Sequence, residues 1–235
     1  AAALAALTLG QLALFPMILI SLVLHEIGHA RKADKLGDPT ARLQNRASFN
    51  PRYWLTHIDP IGTLLIPAIT FLTTGMFFGY ARPVPVEARF FKNPLKDMAR
   101  VALAGPAVNM GLAVAGALAF TGAAAAGLGA GVAAMLGSFV FLNILLAIFN
   151  LIPLPPLDGG HILKAFLPSG LRASVDALTG RFGTAGIVVL ALILMAAGGY
   201  LSAAALWISK ALIGAVMGVS GVQLAGAFFP ALAAL

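Results

Sequence analysis

The chain has 235 residues, of which 60% are hydrophobic and 10% are charged, and its mean hydropathy is +0.96. This composition excludes an ordinary soluble protein and predicts an all-α polytopic membrane protein. The net charge of +7 does not indicate a nucleic-acid partner, because the basic residues flank apolar segments, as the positive-inside rule predicts. The absence of cysteine excludes disulfides and thiolate metal ligands.

Hydropathy predicts about six transmembrane segments, at residues 4–30, 61–79, 101–120, 132–152, 183–201 and 205–228. We expect one membrane-embedded domain over 1–235, with a core over about 12–165 and C-terminal helices over about 183–228. The protein is therefore predicted to be an integral, multi-pass protein of the lipid bilayer, in the cell membrane if its source is prokaryotic.

The first predicted segment contains the sequence His25-Glu26-Ile27-Gly28-His29. Residues four apart lie on the same face of a helix, so the two imidazoles can hold one metal ion with the Glu26 carboxylate beside them. The alternative is that the two histidines are simply packed. Polar side chains without a partner are costly to bury in a helix as apolar as this one. We therefore predict that the two histidines and Glu26 form a zinc site of the metallopeptidase type.

Two basic loops flank the second predicted segment. Residues 31–60 hold six Lys and Arg against three Asp, and residues 80–100 hold five against two acidic residues. A single helix between them would place both loops on opposite sides of the membrane, against the positive-inside rule. Pro67 and Gly75 interrupt 61–79, which predicts either a broken or re-entrant region, or a plain span with a weak charge signal.

Residues 79–86 read GYARPVPV, in which prolines alternate with β-branched residues. This pattern predicts a small β element, an edge strand near the active site. Such a strand would hold an extended peptide by backbone addition, with Tyr80, Arg82 and Val84 as substrate-binding residues. A rigid proline-rich connector is the alternative.

A catalytic zinc site needs a third protein ligand besides His25 and His29. His57, His161 and Asp158 are the candidates, and Asp158 is favoured. Prolines end a long apolar helix just before Asp158, and a carboxylate at that depth without a cation would be costly. The alternative for Asp158 is a turn at the end of a helix.

Two asparagines, Asn143 and Asn150, lie in the fourth predicted segment. Either amide can stabilise a tetrahedral oxyanion or bind the substrate. Hydrogen bonding between helices is their alternative role. In the predicted reaction Glu26 accepts a proton from zinc-activated water and then passes it to the leaving amine.

These motifs resemble those of the site-2 protease family of intramembrane zinc metalloproteases. The segment from His25 to His29 is similar to the HExxH motif of that family, and Leu157-Asp158-Gly159 to its LDG motif. The resemblance implies one zinc ion per chain, with His25, His29 and Asp158 as ligands and Glu26 as the catalytic base. It also implies that Asn150 acts in catalysis, by contacting the substrate backbone or the oxyanion.

Further segments match the compact bacterial or archaeal type of this family, which has no PDZ domain. They are Phe49-Asn50-Pro51, His57-Ile58-Asp59-Pro60-Ile61-Gly62, residues 79–86, Phe91-Lys92-Asn93-Pro94 and Gly105-Pro106-Ala107-Val108-Asn109. His161 is a departure, since this type usually has arginine there. The resemblance implies a peptidase domain that cuts transmembrane protein substrates, whose helices must partly unwind to expose their carbonyl groups.

Two other functions are open at this stage. A metal-ion or proton transporter would also carry polar groups inside the membrane, but it predicts that they spread over several spans. An inactive relative that only binds membrane partners would normally lack a ligand or the glutamate, whereas this chain retains all four residues.

Overall fold

The computed structural model describes residues 9–74 and 79–217, and for residues 9–13, 73–74 and 178–197 it describes the backbone alone. Within these ranges the chain is mainly helical and contains no β-sheet, which confirms the predicted all-α class for this part. Two 3₁₀ helices span Pro51–His57 and Ala88–Phe90, and a π-helix spans Pro60–Leu65. The α-helices are α1 (Leu9–Leu36), α2 (Thr40–Leu43), α3 (Ile66–Thr74), α4 (Pro94–Ala125), α5 (Ala130–Asn150), α6 (Asp158–Phe166) and α7 (Ser169–Met217).

Four helices in the described ranges are long and apolar enough to cross a membrane. They are Leu14–Leu36, Pro94–Ala125, Ala130–Asn150 and Gly198–Met217. The predicted number of six is not confirmed. The segments predicted at 183–201 and 205–228 both fall on α7, which continues through residues 202–204 because Ser-Ala-Ala contains nothing that ends a helix. Residues 218–228 lie outside the described part.

The second predicted segment belongs to a bent pair of helices. Pro51–His57 and Pro60–Leu72 meet at 95°, the geometry of a broken span or a re-entrant loop rather than of a straight helix. Asp59 fixes the bend: its carboxylate accepts hydrogen bonds from the N–H groups of Ile61 and Gly62, and its own N–H donates to Thr63 Oγ1. The bend in the chain therefore lies before residue 61. Pro67 lies inside α3 and does not interrupt it.

Residues 79–87 form an extended segment that pairs with no strand in the described ranges, so the predicted β element is not confirmed. The N–H groups of Tyr80, Arg82 and Val84 all donate to the body of the protein. Alternate residues facing one side give the period of two that an extended chain has. The acceptors are Gly62 O at 3.0 Å, His57 O at 2.8 Å and Glu26 Oε2 at 2.9 Å.

Helix α4 is the centre of the molecule and packs against α1, α5, α6 and α7. Small residues allow these close approaches, as is usual between helices in membranes. A Cβ added to Gly28 of α1 would lie 2.8 Å from Val108 Cγ2 and 3.0 Å from Ala104 O of α4. This contact brings the face of α1 that carries His25 and His29 against α4.

Candidate metal centre

Three predicted ligands converge at one point. His25 and His29 lie one turn apart on α1, and Asp158 is the first residue of α6. The two Nε2 atoms are 3.0 Å apart, and the Asp158 carboxylate oxygens lie 3.3 Å from His25 Nε2 and 3.4 Å from His29 Nε2. Both histidines are buried, and Asp158 is largely buried. Among the described residues this is a group of His and Asp side chains able to hold a metal ion.

Hydrogen bonds on the far side of each ring fix which nitrogen faces this point. His29 Nδ1 lies 2.8 Å from Val101 O, a carbonyl that can only accept, so Nδ1 carries the proton. His25 Nδ1 lies 2.6 Å from Asn109 Oδ1. The Asn109 amide group donates to Asn143 Oδ1 at 3.0 Å, which leaves Asn109 Oδ1 as an acceptor for His25. In the neutral form of each ring the proton is on Nδ1, so the Nε2 lone pairs face each other.

This arrangement fits zinc. With both rings neutral, two lone pairs and a carboxylate repel one another at these distances unless a cation lies between them. Ligands bound tetrahedrally at about 2.0–2.1 Å lie about 3.3–3.4 Å from each other, close to the 3.0, 3.3 and 3.4 Å found here. Asp158 Oδ2 is buried and makes no hydrogen bond to the described residues. Imidazole nitrogen and carboxylate oxygen are donors that zinc accepts.

The turn between α5 and α6 brings Asp158 to the imidazoles. Prolines at 153, 155 and 156 stop α5 from continuing, and α6 starts at Asp158 itself. A Cβ at Gly159 would overlap the carbonyl oxygens of Leu151 and Ile152, so glycine is required where the start of α6 packs against the turn that follows α5. Two elements far apart in sequence are thereby joined at one site.

Glu26 follows His25 on α1 and contacts the extended segment. Its Oε2 accepts a hydrogen bond from the Val84 N–H at 2.9 Å. The second carboxylate oxygen is not used by this bond. The extended segment predicted to lie near the active site is therefore in direct contact with the residue predicted to be the catalytic base.

The two predicted asparagines occupy different positions. Asn143 is fully buried, accepts from Asn109 Nδ2 and donates to Phe139 O at 2.9 Å, so it belongs to the hydrogen-bond network behind His25. A direct contact with substrate would require this network to open. Asn150 is the last residue of α5 and is half-buried, and its Nδ2 donates to Leu146 O at 2.9 Å.

The other histidines are not part of the ligand group. His57 is buried, and its Nδ1 accepts a hydrogen bond from Arg46 at 3.3 Å. His161 lies on α6 about one turn after Asp158, with an exposed side chain. Of the predicted substrate-binding residues, Tyr80 and Arg82 are exposed and Val84 is half-buried.

Sequence analysis matched the segment from Gly105 to Asn109 to the family, but it did not predict that Asn109, the Val101 carbonyl and Gly105 orient the imidazoles. The four-residue spacing of Gly105 and Asn109 places both on one face of α4. A Cβ at Gly105 would overlap His29 Nε2 and lie 2.6 Å from His25 Cε1. Gly105 therefore provides the space that the imidazoles occupy against α4.

Comparison with known proteins identifies the family. The sequence profile described as peptidase family M50 matches residues 121–197. A Bacillus subtilis protein named as a candidate zinc metalloprotease, YwhC, is 40% identical over 174 residues, which cover 70% of this chain and 75% of YwhC. The chain belongs to peptidase family M50, the site-2 proteases.

Two mycobacterial relatives support the assignment. Rip2 of Mycolicibacterium smegmatis, also named as a candidate zinc metalloprotease, is 34% identical over 176 residues, 73% of this chain and 63% of Rip2. Rip3 of Mycobacterium tuberculosis is 32% identical over 180 residues, 75% of this chain and 36% of Rip3. No solved structure matches the chain significantly.

Family membership confirms three predictions: the resemblance to site-2 proteases, the zinc cofactor and the intramembrane metalloprotease activity. The family is membrane-embedded, which agrees with the apolar helices of the described ranges. A protease of this family acts on protein substrates.

Proposed function

We propose that His25, His29 and Asp158 hold the one zinc ion of this protease and that Glu26 is its general base. The reaction is hydrolysis of peptide bonds within or near transmembrane helices of other membrane proteins. The observation that carries the proposal is the convergence of two imidazole lone pairs and a buried carboxylate within 3.0–3.4 Å of one another. The activity belongs to a single peptidase domain in the lipid bilayer, with its catalytic core over about 12–165.

When bound, zinc supplies a nucleophile from water at neutral pH and acts as a Lewis acid toward the peptide carbonyl. Glu26 accepts the proton from the water and returns it to the leaving amine. The Val84 N–H holds Glu26 Oε2, which leaves Oε1 free for the proton. Asn109 and Val101 keep the two Nε2 atoms directed toward the ion.

We assign substrate binding to the extended segment, with Tyr80, Arg82 and Val84 as contact residues. The inner side of the segment already donates its N–H groups to the protein, so a substrate would lie along the opposite side. Pro83 and Pro85 occupy that side and have no N–H to donate. Recognition is therefore one-sided: the unwound substrate supplies the N–H donors, and the segment supplies carbonyl acceptors other than Pro83 O, which Arg46 already binds.

Asn150 is proposed to donate to the substrate backbone or to the oxyanion. Its position at the end of α5, eight residues before Asp158, places it at the start of the turn that carries Asp158 to the imidazoles. To donate, the amide must exchange its bond to Leu146 O for one to the substrate. An asparagine donor of this type contributes about 10²–10³-fold to the rate in other proteases.

Chelation tests this function. We expect the purified protein in detergent to contain about one zinc ion per chain and to cleave model transmembrane peptides, and zinc chelators should abolish cleavage. Added zinc should restore it. Peptides with glycine or proline beside the cleaved bond should be cut faster than purely helical ones, because their carbonyls are more accessible.

Mass spectrometry detects the peptide fragments, and elemental analysis measures the zinc content of the same sample. Cleavage that is unaffected by chelation would contradict the zinc mechanism. A zinc-loaded protein that cuts soluble unstructured peptides and leaves every transmembrane peptide intact would contradict the assigned substrate class.

A further inference from the structure

The side chain of Arg46 is buried beside the extended segment. It is 5% exposed, and its guanidinium donates to two carbonyls of the segment: Nη1 to Pro83 O at 2.6 Å and Nη2 to Arg82 O at 2.5 Å. Nη2 also donates to His57 Nδ1 at 3.3 Å. Burying an arginine is costly, so a side chain held in this way is expected to have a specific role.

One peptide group connects Arg46 to Glu26, the proposed general base. The Pro83 carbonyl and the Val84 N–H belong to the same planar amide. Arg46 binds the oxygen of this amide, and Glu26 Oε2 accepts its hydrogen at 2.9 Å. The chain therefore runs from a cation through one amide to a carboxylate, and each bond in such a chain polarises the next.

A second set of contacts holds the amide in this orientation. The Arg82 N–H donates to His57 O at 2.8 Å, so His57 contacts both Arg46 and the extended segment. His57 is 1% exposed.

Burial lowers the pKa of the Arg46 guanidinium below its ordinary value, and the nearby charge of Glu26 opposes that shift. No ion pair joins Arg46 and Glu26 among the described side chains, so the amide between Pro83 and Val84 is the contact that connects them.

We propose that Arg46 is a positioning residue for the general base, acting on Glu26 through the peptide group between Pro83 and Val84. This inference rests on the proposed role of Glu26. Arg46 fixes the plane of the amide, the amide N–H fixes Oε2, and Oε1 is thereby directed to the water that gives up its proton. His57 holds the Arg46 side chain in place through its Nδ1 atom. This contact explains why His57 is buried although it is not a proposed zinc ligand.

Substitution of Arg46 is expected to affect turnover rather than binding. Arg46→Ala should keep zinc near one ion per chain and lower kcat by about 10–100-fold, with a far smaller change in KM, because misplacing a catalytic group has effects of this size. Arg46→Lys keeps the charge but cannot bind two carbonyls in the same way. Its kcat should lie between that of the unmodified protein and that of Arg46→Ala. Added guanidinium at a non-denaturing concentration should partly restore Arg46→Ala.

Arg42→Ala is the matched control. Arg42 lies four residues earlier, is mostly exposed and bonds to Asp34 at 2.8 Å, with no bond to the extended segment. Its removal should leave kcat and KM unchanged. The double variant Glu26→Gln with Arg46→Ala should be no slower than Glu26→Gln alone, since residues that act as one unit are not additive.

The outcomes separate this proposal from the proposed function. Cleavage by Glu26→Gln equal to that of the unmodified protein would overturn the role of Glu26 and this inference with it. If Glu26→Gln is inactive as expected, any of the following results overturns the Arg46 inference alone: unchanged kcat in Arg46→Ala, a change confined to KM, or a further loss in the double variant. Loss of zinc from both Arg46 variants would also overturn it, because Arg46 would then support the fold.

Discussion

Glu26→Gln is expected to slow peptide cleavage by about 10²–10⁴-fold while zinc stays near one ion per chain. Glutamine has nearly the same size, and its carbonyl oxygen can still accept the Val84 N–H that Glu26 Oε2 accepts at 2.9 Å. It cannot take up a proton at neutral pH. The three proposed ligands are untouched, so metal binding and catalysis should separate in this variant.

The measurement is single-turnover cleavage of a model transmembrane peptide beside zinc content on the same sample. Glu87→Gln is a matched control, because it makes the same chemical change at the end of the extended segment, where the Glu87 carboxylate pairs with Arg89 at 2.6 Å. We expect that control to cleave at the rate of the unmodified protein. Equal rates for Glu26→Gln and Glu87→Gln would rule out Glu26 as the base.

Gly105→Ala is expected to weaken zinc binding by at least about 10–100-fold, although Gly105 is not a ligand. The added methyl would overlap His29 Nε2 and lie 2.6 Å from His25 Cε1. Neither imidazole can yield freely, since Nδ1 of each ring is already bonded, to Asn109 and to the Val101 carbonyl. The rings must therefore leave their anchors or α1 must move away from α4, and both changes disturb the ligand geometry.

Gly111→Ala separates this effect from helix propensity. It makes the same change on the same helix, but a Cβ at Gly111 meets nothing within 4 Å. Alanine favours a helix over glycine by up to about 1 kcal/mol, so both variants gain the same local preference. Zinc affinity from chelator competition should fall for Gly105→Ala only. If both variants bind zinc equally well, the imidazoles do not need the space at Gly105.

The convergence of the three proposed ligands was largely predictable because each of them has a local signal in the sequence. The four-residue spacing of His25 and His29 places both imidazoles on one helix face, whatever the rest of the chain does. Asp158 required a different argument, from the cost of a carboxylate after an apolar helix. Its side chain does lie 3.3–3.4 Å from both imidazoles.

The groups that support the site carry no comparable signal. Val101 contributes a main-chain oxygen, which every residue has, so nothing in the sequence marks it. Asn109 faces His25 only because α1 and α4 approach closely at Gly28. Arg46 is one of six basic residues in the loop 31–60, and only tertiary contacts distinguish it from the five others.

The number of spans was less predictable than the helical class. Hydropathy finds apolar windows but does not find helix ends, so two windows were assigned to what is one helix, α7, in the described ranges. The segment 79–87 has the alternation of a strand, yet its partners are the carbonyls of His57 and Gly62, in a 3₁₀ helix and a π-helix, and the Glu26 carboxylate. Extended shape is a local property, whereas pairing into a sheet depends on which elements lie beside it.

The most direct test of the central claim is the zinc coordination of the purified protein compared with that of Asp158→Ala. X-ray absorption at the zinc edge should show two imidazole nitrogens together with oxygen ligands in the unmodified protein. Loss of a contact that merely supports a ligand lowers zinc affinity by about 10–100-fold. Asp158→Ala should lower it by more than this, because the variant removes a proposed ligand. An identical spectrum and equal zinc affinity in the two proteins would contradict a metal ion shared between α1 and α6.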